Sequence, residues 1–240
     1  MRIDSIRKSC YVSTIMIGQL HETALHESLK KMYAEQTQGV TEQKVDGYII
    51  DVVTPFELIE IQTGSFSNIR VKLGKLLPNH RVRLVYPIFA EKTIRLYDKD
   101  QKHIIRERKS PARGVPAVAG VELMRIPETV LHPNFILEIV MVKALEERAD
   151  DGAGSWRRKG ISILGRTLLE VVDTIIFEGK ESYKLLLPVT LPERYTHKDL
   201  KTCAGITSGQ AAKLSWFLRK IGVVNKAGKQ GRALLLETVK

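Results

Sequence analysis

Several familiar sequence signatures are missing from this chain of 240 residues, and each absence removes a class of function. There is no GxxxxGKS or GxxxxGKT phosphate loop, no GxGxxG after an apolar strand, and no GxSxG around a nucleophilic serine. The six histidines never occur with HExxH spacing. Hydrolysis of ATP by a P-loop, kinase chemistry, hydride transfer and serine hydrolysis therefore have no support in the sequence.

Cysteine and long apolar runs are scarce as well. Cys10 and Cys203 lie far apart and neither belongs to a CxxC pair, so a structural zinc site or a disulfide framework is not indicated. No apolar run approaches the roughly 20 residues of a membrane-spanning helix, and the N-terminal MRIDSIRKSC lacks the apolar block of a signal peptide. We therefore expect a cytoplasmic protein without a membrane partner.

Positive charge, in contrast, is abundant. The chain has 38 Lys and Arg against 27 Asp and Glu, a formal net charge of +11. An excess of this size favours a polyanionic partner, and nucleic acid fits better than an anionic membrane surface. The alternative is a basic surface without a specific partner.

The apolar pattern predicts a mixed α/β core in the first hundred residues. A helix is expected over 13–36, TQGVTEQ is expected to be a loop, and strands are expected over 44–53 and 57–63 about a turn at Pro55. NIRVKLGKLL predicts a second helix that ends at Pro78, and RVRLVYPIFA and KTIRLYDKD predict two further strands. The predicted order is α-β-β-α-β-β.

The middle part of the chain, residues 103–180, gives no single topology. VELMRI to LHPNF predicts a helix, and ILEIVMVKALEE fits a strand or a helix. WRRKGISILGRTLLEVVDTIIF predicts a basic start, a strand and then a helix. Basic residues cluster in RERKSPARG (106–114) and in WRRKG (156–160).

Two acids and an amide interrupt the apolar strands of VDGYIIDVVTPFELIEIQTGSF. Pairing the strands outward from the turn sets Val53 opposite Leu58 and Asp51 opposite Glu60, with β-carbons about 4.5–5.5 Å apart. Two carboxylates that close repel each other unless they share a proton or a cation. Mg²⁺ accepts one or two carboxylates together with waters and phosphate oxygens. We therefore predict that Asp51 and Glu60 bind Mg²⁺ or Mn²⁺ and that Gln62 orients the attacking water.

The alternative for this hairpin is structural: both carboxylates face solvent on a half-exposed sheet beside lysine or arginine. A burial test separates the two interpretations. If the acids point apart, or if either pairs with an internal arginine, the catalytic interpretation fails.

The pattern D-x8-E-x-Q between apolar strands resembles the core motif of the restriction-endonuclease-like nucleases, the PD-(D/E)xK superfamily, in its E-x-Q variant. The resemblance implies an αβββαβ mixed-sheet core, metal-dependent hydrolysis of phosphodiester bonds and pairing of two chains in a homodimer. Over nearly its whole length the chain also resembles a family of uncharacterised prokaryotic proteins, through segments such as LHESLKKMYA, VDGYIIDVV, LIEIQT and RKSPARG.

The resemblance also implies an acid from the helix before the hairpin and a lysine where this chain has Gln62. Glu22 is the preferred helix acid, with Glu27 as the alternative, and Asp46 is a further candidate metal ligand. Lys72 on the second helix is the candidate to replace the missing lysine. A solvated helix face is the competing interpretation for the helix acids and for Lys72.

The last sixty residues, 181–240, are predicted to form a separate domain after a nuclease-like domain over 1–180. Thr196 caps a helix in HKDLKTCA, GIT forms a turn, and SGQAAKLSWFLRKIGVV forms a longer helix. NKAGKQGRALLLET then gives two strands about a basic turn. This arrangement resembles a winged helix-turn-helix domain.

Such a domain inserts the start of its second helix into the major groove of DNA. The residues expected to contact DNA there are Ser208, Gln210 and Lys213, beside Thr207, with Lys229 and Arg232 of the wing on phosphates. Arg108, Lys109 and Arg113 of RERKSPARG either grip phosphate beside the active face or belong to a solvated connector.

Two functional hypotheses follow. The first is a metal-dependent DNA endonuclease with a winged-helix DNA-binding module. The second is a non-catalytic DNA-binding protein, a regulator or an architectural factor, that keeps a degenerate nuclease fold. The glutamine at position 62, in place of the lysine, motivates this hypothesis. Charge alone leaves RNA open as the partner.

Overall fold

The computed structural model describes residues 23–239. The helices are α1 Thr23–Thr37, α2 Arg70–Leu76, α3 Gly120–Leu123, α4 Gly179–Ser182, α5 His197–Ala204 and α6 Ser208–Lys220. The strands are β1 Val40–Val45, β2 Tyr48–Val53, β3 Leu58–Ile61, β4 Val82–Tyr97, β5 Ile104–Lys109, β6 Phe135–Ala149, β7 Ser162–Glu178, β8 Arg194–Tyr195, β9 Val224–Gln230 and β10 Ala233–Thr238.

Within these residues, seven strands form one mixed sheet in the order β1-β2-β3-β4-β6-β7, and β5 pairs with the second half of β4. The pairs β3–β4 and β4–β6 are parallel, and the other neighbours are antiparallel. A second sheet has the order β8-β10-β9. The predicted mixed α/β class is therefore confirmed.

Helices cover the large sheet on both faces. On one face, called the α1 face here, Leu25 and Leu29 of α1 pack on apolar side chains of β2, β3, β4 and β6. On the other, the α2 face, Leu73 and Leu76 pack with Leu84 and with residues of the C-terminal helices. Apolar burial on both faces explains why β3 and most of β6 are buried throughout.

The C-terminal helices share this second core. Gly120 of α3 lies so close to Leu214 of α6 that a β-carbon at position 120 would approach it to 2.8 Å. Tyr183 stacks on Phe177 at the end of β7, with ring centroids 5.3 Å apart, and meets the edge of Phe217 in α6 at 5.5 Å. The apolar core is thus continuous across the predicted domain division at residue 180, which stays a prediction.

Three local predictions in the first hundred residues are wrong. The single strand predicted over 44–53 is divided between β1 and β2 by a tight turn at Asp46 and Gly47. TQGVTEQ is not all loop, because its second half belongs to β1, whose largely exposed side chains give no apolar alternation. RVRLVYPIFA and KTIRLYDKD form the single strand β4, because a register shift between Phe89 and Glu91 keeps it paired with β6. The order from α1 to β4 is accordingly α-β-β-β-α-β.

The middle part also differs from expectation. The helix predicted from LLEVVDTIIF is wrong, because this segment lies in β7 and pairs with β6 over nearly its full length. ILEIVMVKALEE is a strand. The helix predicted from VELMRI to LHPNF is reduced to α3 and one short 3-10 turn, Thr129–Leu131, and another 3-10 turn, Pro116–Ala119, directly precedes α3. Isolated apolar runs with β-branched residues fit either structure, and pairing with β6 decides between them.

The C-terminal elements agree closely with the sequence. Thr196 caps α5 and exchanges hydrogen bonds with Asp199, and α6, β9 and β10 lie where expected. Of the helix predicted over 13–36, α1 accounts for the residues from Thr23 onward, and 13–22 lie outside the described residues. Among the helices described, none is long and apolar enough to cross a bilayer.

Candidate functional site

The acidic hairpin has the predicted register. Val53 pairs with Leu58 and Val52 with Ile59, which makes Asp51 and Glu60 the next opposed positions. Thr54 holds the turn, since its Oγ1 accepts the backbone N–H groups of Phe56 and Glu57 at 3.2 and 2.9 Å. The ladder ends at Val52 and Ile59, so the two strands separate at the acids.

Asp51 sits where β2 changes the face that it presents. Ile50 packs in the core of the α2 face and Val52 in that of the α1 face, although residues two apart in a regular strand share a face. Asp51 Oδ2 takes the place of a ladder acceptor, because the backbone N–H of Ile61 donates to it at 2.7 Å. His26 Nε2 of α1 lies 3.2 Å from the same oxygen.

These contacts keep Asp51 ionised. Burial by itself would raise its pKa, but the hydrogen bonds from His26 and from the Ile61 N–H outweigh burial, and the pKa lies below its ordinary value. The hydrogen bond to Asp51 in turn raises the pKa of His26. The pair therefore favours an aspartate beside an imidazolium.

Glu60 is the buried member of the acidic pair. Only 4% of it is exposed, and the ammonium of Lys72 forms an ion pair with its Oε1. Lys72 Nζ also donates to the backbone carbonyl of Ile49 at 2.6 Å, which fixes the lysine over the end of the hairpin. Burial raises the pKa of Glu60 to about 7, against the opposing effect of Lys72 and with a further upward contribution from Asp51. One lysine thus compensates this buried charge incompletely.

Gln62 turns its amide toward the chain that follows it. Its Nε2 donates to the carbonyl of Ser65 at 3.0 Å, so the side-chain oxygen is the atom left to accept a hydrogen bond. Glu122 of α3 anchors the same loop, because it accepts from Ser65 Oγ at 3.1 Å and from the Phe66 N–H at 3.0 Å. No local pattern around Glu122 predicts this role, since it depends on how α3 packs.

The other predicted acids do not join the pair in the described chain. Glu27 contacts Lys30 at 2.6 Å, and Asp46 lies 2.9 Å from His80. Glu22, the preferred helix acid, lies outside the described residues. Within residues 23–239, no group of three or more His, Cys, Asp or Glu side chains is arranged to hold a metal ion. Any cation site formed by this part of the chain therefore has two carboxylates at most.

The basic cluster RERKSPARG lies away from the acids. Arg108 and Lys109 belong to β5 and pair with Ile94 and Thr93, whereas Glu60 pairs with Leu84. This separation along β4 corresponds to about 30 Å. The expectation that RERKSPARG grips phosphate beside the active face is therefore wrong in position for Arg108 and Lys109. It stays a prediction for Arg113, because the N–H of Gly114 donates to the carbonyl of Phe89, much nearer to Leu84 along β4. Arg113 follows β5 and lies 3.6 Å from Glu91.

The predicted DNA-contacting residues of the C-terminal part share an exposed setting. Ser208 and Lys213 are exposed on α6, and Lys229 and Arg232 are exposed at the tip of the β9–β10 hairpin. Gln210 has a structural task, because its Oε1 accepts the Thr207 N–H at 2.8 Å in a reciprocal cap of α6. Its amide N–H groups are the part still able to read a base.

The second half of α6 faces the rest of the protein across a cleft. Lys220 lies 3.6 Å from Glu128, and Trp216 lines the same cavity of about 290 Å³ together with Arg70. The first half of α6 buries Ala211 and Leu214 on one side. Its other side carries Ser208, Gln210 and Lys213 and does not line this cavity.

Comparisons with known proteins give a family and a relative. A family model described as "Domain of unknown function (DUF8091)" matches residues 23–178. An "Uncharacterized protein" of Treponema pallidum (strain Nichols) is 33% identical over 223 residues, which cover 91% of this chain and 86% of the relative. No solved structure matches the chain.

Proposed function

The chain belongs to the DUF8091 family, and we propose that it is a metal-dependent DNA endonuclease with Asp51, Glu60 and Lys72 in its active site. The observation that carries the proposal is the buried carboxylate of Glu60, whose pKa is raised to about 7 while Lys72 pairs with it. A buried acid with a perturbed pKa, a lysine on it and a second acid opposite has the features by which an active site is recognised.

The residues present fit a magnesium or manganese ion. Among the described residues, all hydrogen bonds to the Asp51 side chain fall on Oδ2, so Oδ1 remains for a cation beside Glu60. Two carboxylates are sufficient for Mg²⁺, because waters and phosphate oxygens complete its coordination. The added positive charge would also stabilise the ionised form of Glu60, which burial disfavours.

Each residue then has a defined part in hydrolysis of a phosphodiester. When bound, the metal lowers the pKa of a coordinated water and offsets charge on the phosphate. Asp51 and Glu60 hold it, and His26 keeps Asp51 ionised and oriented. Lys72 places a cation beside the reacting phosphate, as a lysine at the position of Gln62 would. The free oxygen of Gln62 accepts a hydrogen bond from the attacking water.

The element order supports the nuclease interpretation of the core. From α1 to β4 the order is α-β-β-β-α-β, with the acids on β2 and β3 and the lysine on α2. This is the αβββαβ order that the resemblance to restriction-endonuclease-like proteins implies. The C-terminal α5, α6 and β9–β10 hairpin have the order of a winged helix-turn-helix, with β8 as the third strand.

We assign duplex DNA binding to this C-terminal part. Ser208, Gln210 and Lys213 lie on the exposed half of α6, and Lys229 and Arg232 lie on the hairpin where a wing meets phosphates. A homodimer that cuts both strands follows from the nuclease resemblance alone and stays a prediction, as does RNA as an alternative partner.

A non-catalytic DNA-binding protein is the second candidate, and Gln62 favours it. The amide is tied to Ser65 in a turn, as a residue with a structural task would be. In that case Lys72 and His26 only neutralise two acids that have lost their metal. The exposed half of α6 and the basic hairpin would be the working part.

The test is cleavage of supercoiled plasmid with Mg²⁺ or Mn²⁺. We expect nicking by the wild type, and its loss in Asp51→Asn and Glu60→Gln as well as in the alanine variants. Asparagine at position 51 keeps an acceptor for the Ile61 N–H, so loss of activity there reflects the charge. Glu35→Gln, at an exposed acid of α1, is the matched control.

Nicking that persists in the Asp51 and Glu60 variants would place the chemistry elsewhere. Salt-sensitive DNA binding without nicking under either metal would support the non-catalytic candidate instead.

A further inference from the structure

The second half of the large sheet has a basic surface that the acidic site does not use. Across β5, β4, β6 and β7, Arg108, Ile94, Glu146 and Arg166 are directly paired in one row, and Arg106, Leu96 and Arg148 are paired in the next. Directly paired residues lie on the same face of a sheet. Lys92 joins them, since it pairs with Ala144 and contacts Glu146. We call Lys92, Arg106, Arg108, Arg148 and Arg166 the distal basic surface.

A single carboxylate serves most of these cations. Glu146 is only 1% exposed and accepts from Lys92 at 2.8 Å, from Arg166 at 2.9 Å and from Arg148 at 2.8 Å. Burial opposes its ionisation, but the three donors prevail and lower its pKa to about 2. One negative charge cannot neutralise three cations, so this cluster has an excess of positive charge.

The two remaining arginines add to this excess. Arg106 and Arg108 are exposed on β5, and within residues 23–239 neither forms an ion pair with an acid. Among the described residues, the distal basic surface therefore has five cations against Glu146, with Arg106 and Arg108 exposed and the other three half-buried. A compact, uncompensated field of this kind attracts a polyanion.

The reverse face of the same strands is balanced, which shows that the excess belongs to one side. There Arg95 bonds to Glu107 at 2.7 Å, Lys143 to Glu170 at 2.7 Å and Lys109 to Glu91 at 3.5 Å. The net charge of +11 is thus not spread evenly over this part of the sheet.

The spacing of the cations fits a chain of phosphates better than one anion. Neighbouring strands lie about 4.8 Å apart, so Arg108 and Arg166, three strands apart, are separated by about 14 Å. Arg166 is held by Glu146 on the neighbouring strand and Arg108 lies on β5 at the other end of the row, so the two cations are spread along it. Each can pair with a different phosphate, for which the planar guanidinium is well suited.

An exposed aromatic ring lies at the tip of the β6–β7 hairpin, just beyond Arg148. Trp156 is 83% exposed, and the guanidinium of Arg157 lies 5.5 Å from its ring. Arg158 and Lys159 follow, while Asp150 and Asp151 are the acids of the same loop. An exposed tryptophan among cations can stack on an unpaired base, whose faces are covered in a duplex.

We propose that the distal basic surface and Trp156 bind single-stranded nucleic acid, with phosphates on the arginines and a base on the indole. This surface lies about 30 Å along β4 from the level of Glu60. Binding here requires neither a metal ion nor the acidic pair, so the proposal does not depend on nuclease activity.

The experiment is fluorescence anisotropy with the full-length protein in EDTA. Labelled oligothymidylate, oligouridylate and a hairpin duplex are titrated over a series of salt concentrations, with inorganic phosphate as a competitor. Duplex binding by the C-terminal part is removed first, with a variant in which Lys213, Lys229 and Arg232 are replaced by glutamine. We expect this variant to bind single strands more tightly than the duplex. The DNA and RNA arms identify which single strand is preferred.

Two variants test the surface itself. The double variant Arg106→Glu and Arg108→Glu should weaken single-strand binding about tenfold and reduce the salt slope by about 1.4, since each lost phosphate contact accounts for about 0.7. Trp156→Ala should weaken it at least about fivefold, because stacking on one base has that effect or more. Both sites are exposed, so we expect both variants to fold, and their melting temperatures check this.

Matched controls exist for both changes. Lys31→Glu with Lys44→Glu reverses two exposed charges elsewhere, and Phe56→Ala removes an aromatic ring that is 86% exposed. Equal effects of test and control variants would overturn the proposal. A second combination of results would also overturn it. In that case the arginine variant loses binding, Trp156→Ala has no effect, and the duplex binds as tightly as the single strands. Because the titrations are made in EDTA, their result is separate from the outcome of the metal-dependent plasmid test.

Discussion

Lys72 of α2 and Glu60 of β3 form an ion pair at the point where β2 and β3 separate. In the nuclease proposed above, this lysine would take the place of the motif lysine although it comes from a different element, since it contacts Glu60. This relationship allows an active site without a lysine at position 62, and several predictions depend on it.

Replacing Lys72 tests whether this lysine is catalytic or is only a solvated lysine on the helix surface. We expect Lys72→Met to reduce plasmid nicking about 100-fold, the usual effect of removing one stabilising group at a reacting phosphate. Lys72→Arg should restore part of the activity because it keeps the charge. Lys75→Met, at an exposed lysine on the same helix, should leave nicking unchanged. Equal activity of Lys72→Met and Lys75→Met would contradict the role.

The raised pKa of Glu60 predicts a stability effect with a defined sign. Its pKa of about 7 in the folded protein exceeds the ordinary 4.5, so its protonation stabilises the fold below pH 4.5 and this contribution is lost as the pH rises through 7. Glu60→Gln should therefore stabilise the protein by about 2 kcal/mol at about pH 8.5 and by much less at about pH 5. Thermal unfolding at both pH values measures this. A gain of equal size at both would argue against a buried, ionising Glu60.

The contact between His26 and Asp51 is also predicted to stabilise the protein most at low pH. The pKa of His26 is raised above 6.5, so its contribution to stability is complete below that pH and is lost as the pH rises through its folded value. His26→Ala should cost about 1 kcal/mol at about pH 5.5 and less at about pH 8.5. Denaturant unfolding checks this, and a loss that is constant with pH would refute it. His80→Ala, at the more exposed contact with Asp46, should cost less.

Because α3 and α6 approach each other closely, we predict that adding a single methyl group at position 120 pushes the two helices apart. Gly120→Ala should destabilise the protein by about 1–3 kcal/mol, because the added β-carbon would lie 2.8 Å from Leu214. Gly74→Ala in α2 is the matched control, since no atom lies within 4 Å of its added β-carbon. Similar melting temperatures of the two variants would show that the helices adjust freely.

Duplex binding by the C-terminal part should depend on its basic residues. Lys213→Gln, Lys229→Gln and Arg232→Gln should each reduce the salt slope of duplex binding by about 0.9, the value for one lost phosphate contact on B-DNA. Lys31→Gln on α1 is the control. Slopes that do not change in these variants would remove this surface from the DNA interface.

Where local patterns suffice, the sequence predicts this protein well. The turn at Thr54 and the apolar residues around it set the register of Val53 and Leu58, and Thr196 marks the start of α5. Both depend on neighbours within a few residues. The mixed α/β class follows from the alternation of such segments.

Long-range pairing accounts for what the sequence does not predict. β7 resembles a helix in its own sequence and becomes a strand because β6 offers it a partner, and β1 has too few apolar residues to be recognised. In the site, the motif predicts the facing acids, but the contact of His26 with Asp51 requires the packing of α1. The residue type alone makes Lys72 a candidate, and its contact with Glu60 requires the packing of α2.

The continuous core around Leu214, Phe217 and Tyr183 has a thermodynamic consequence. Two parts of a chain that share one core lose their structure together, so binding energy gained by one part protects the other. A DNA duplex held only by α6 and the β9–β10 hairpin would therefore raise the melting temperature of the large sheet as well. For the same reason, a fragment ending at residue 178, where the family match ends, would expose the apolar side chains of α3 to water.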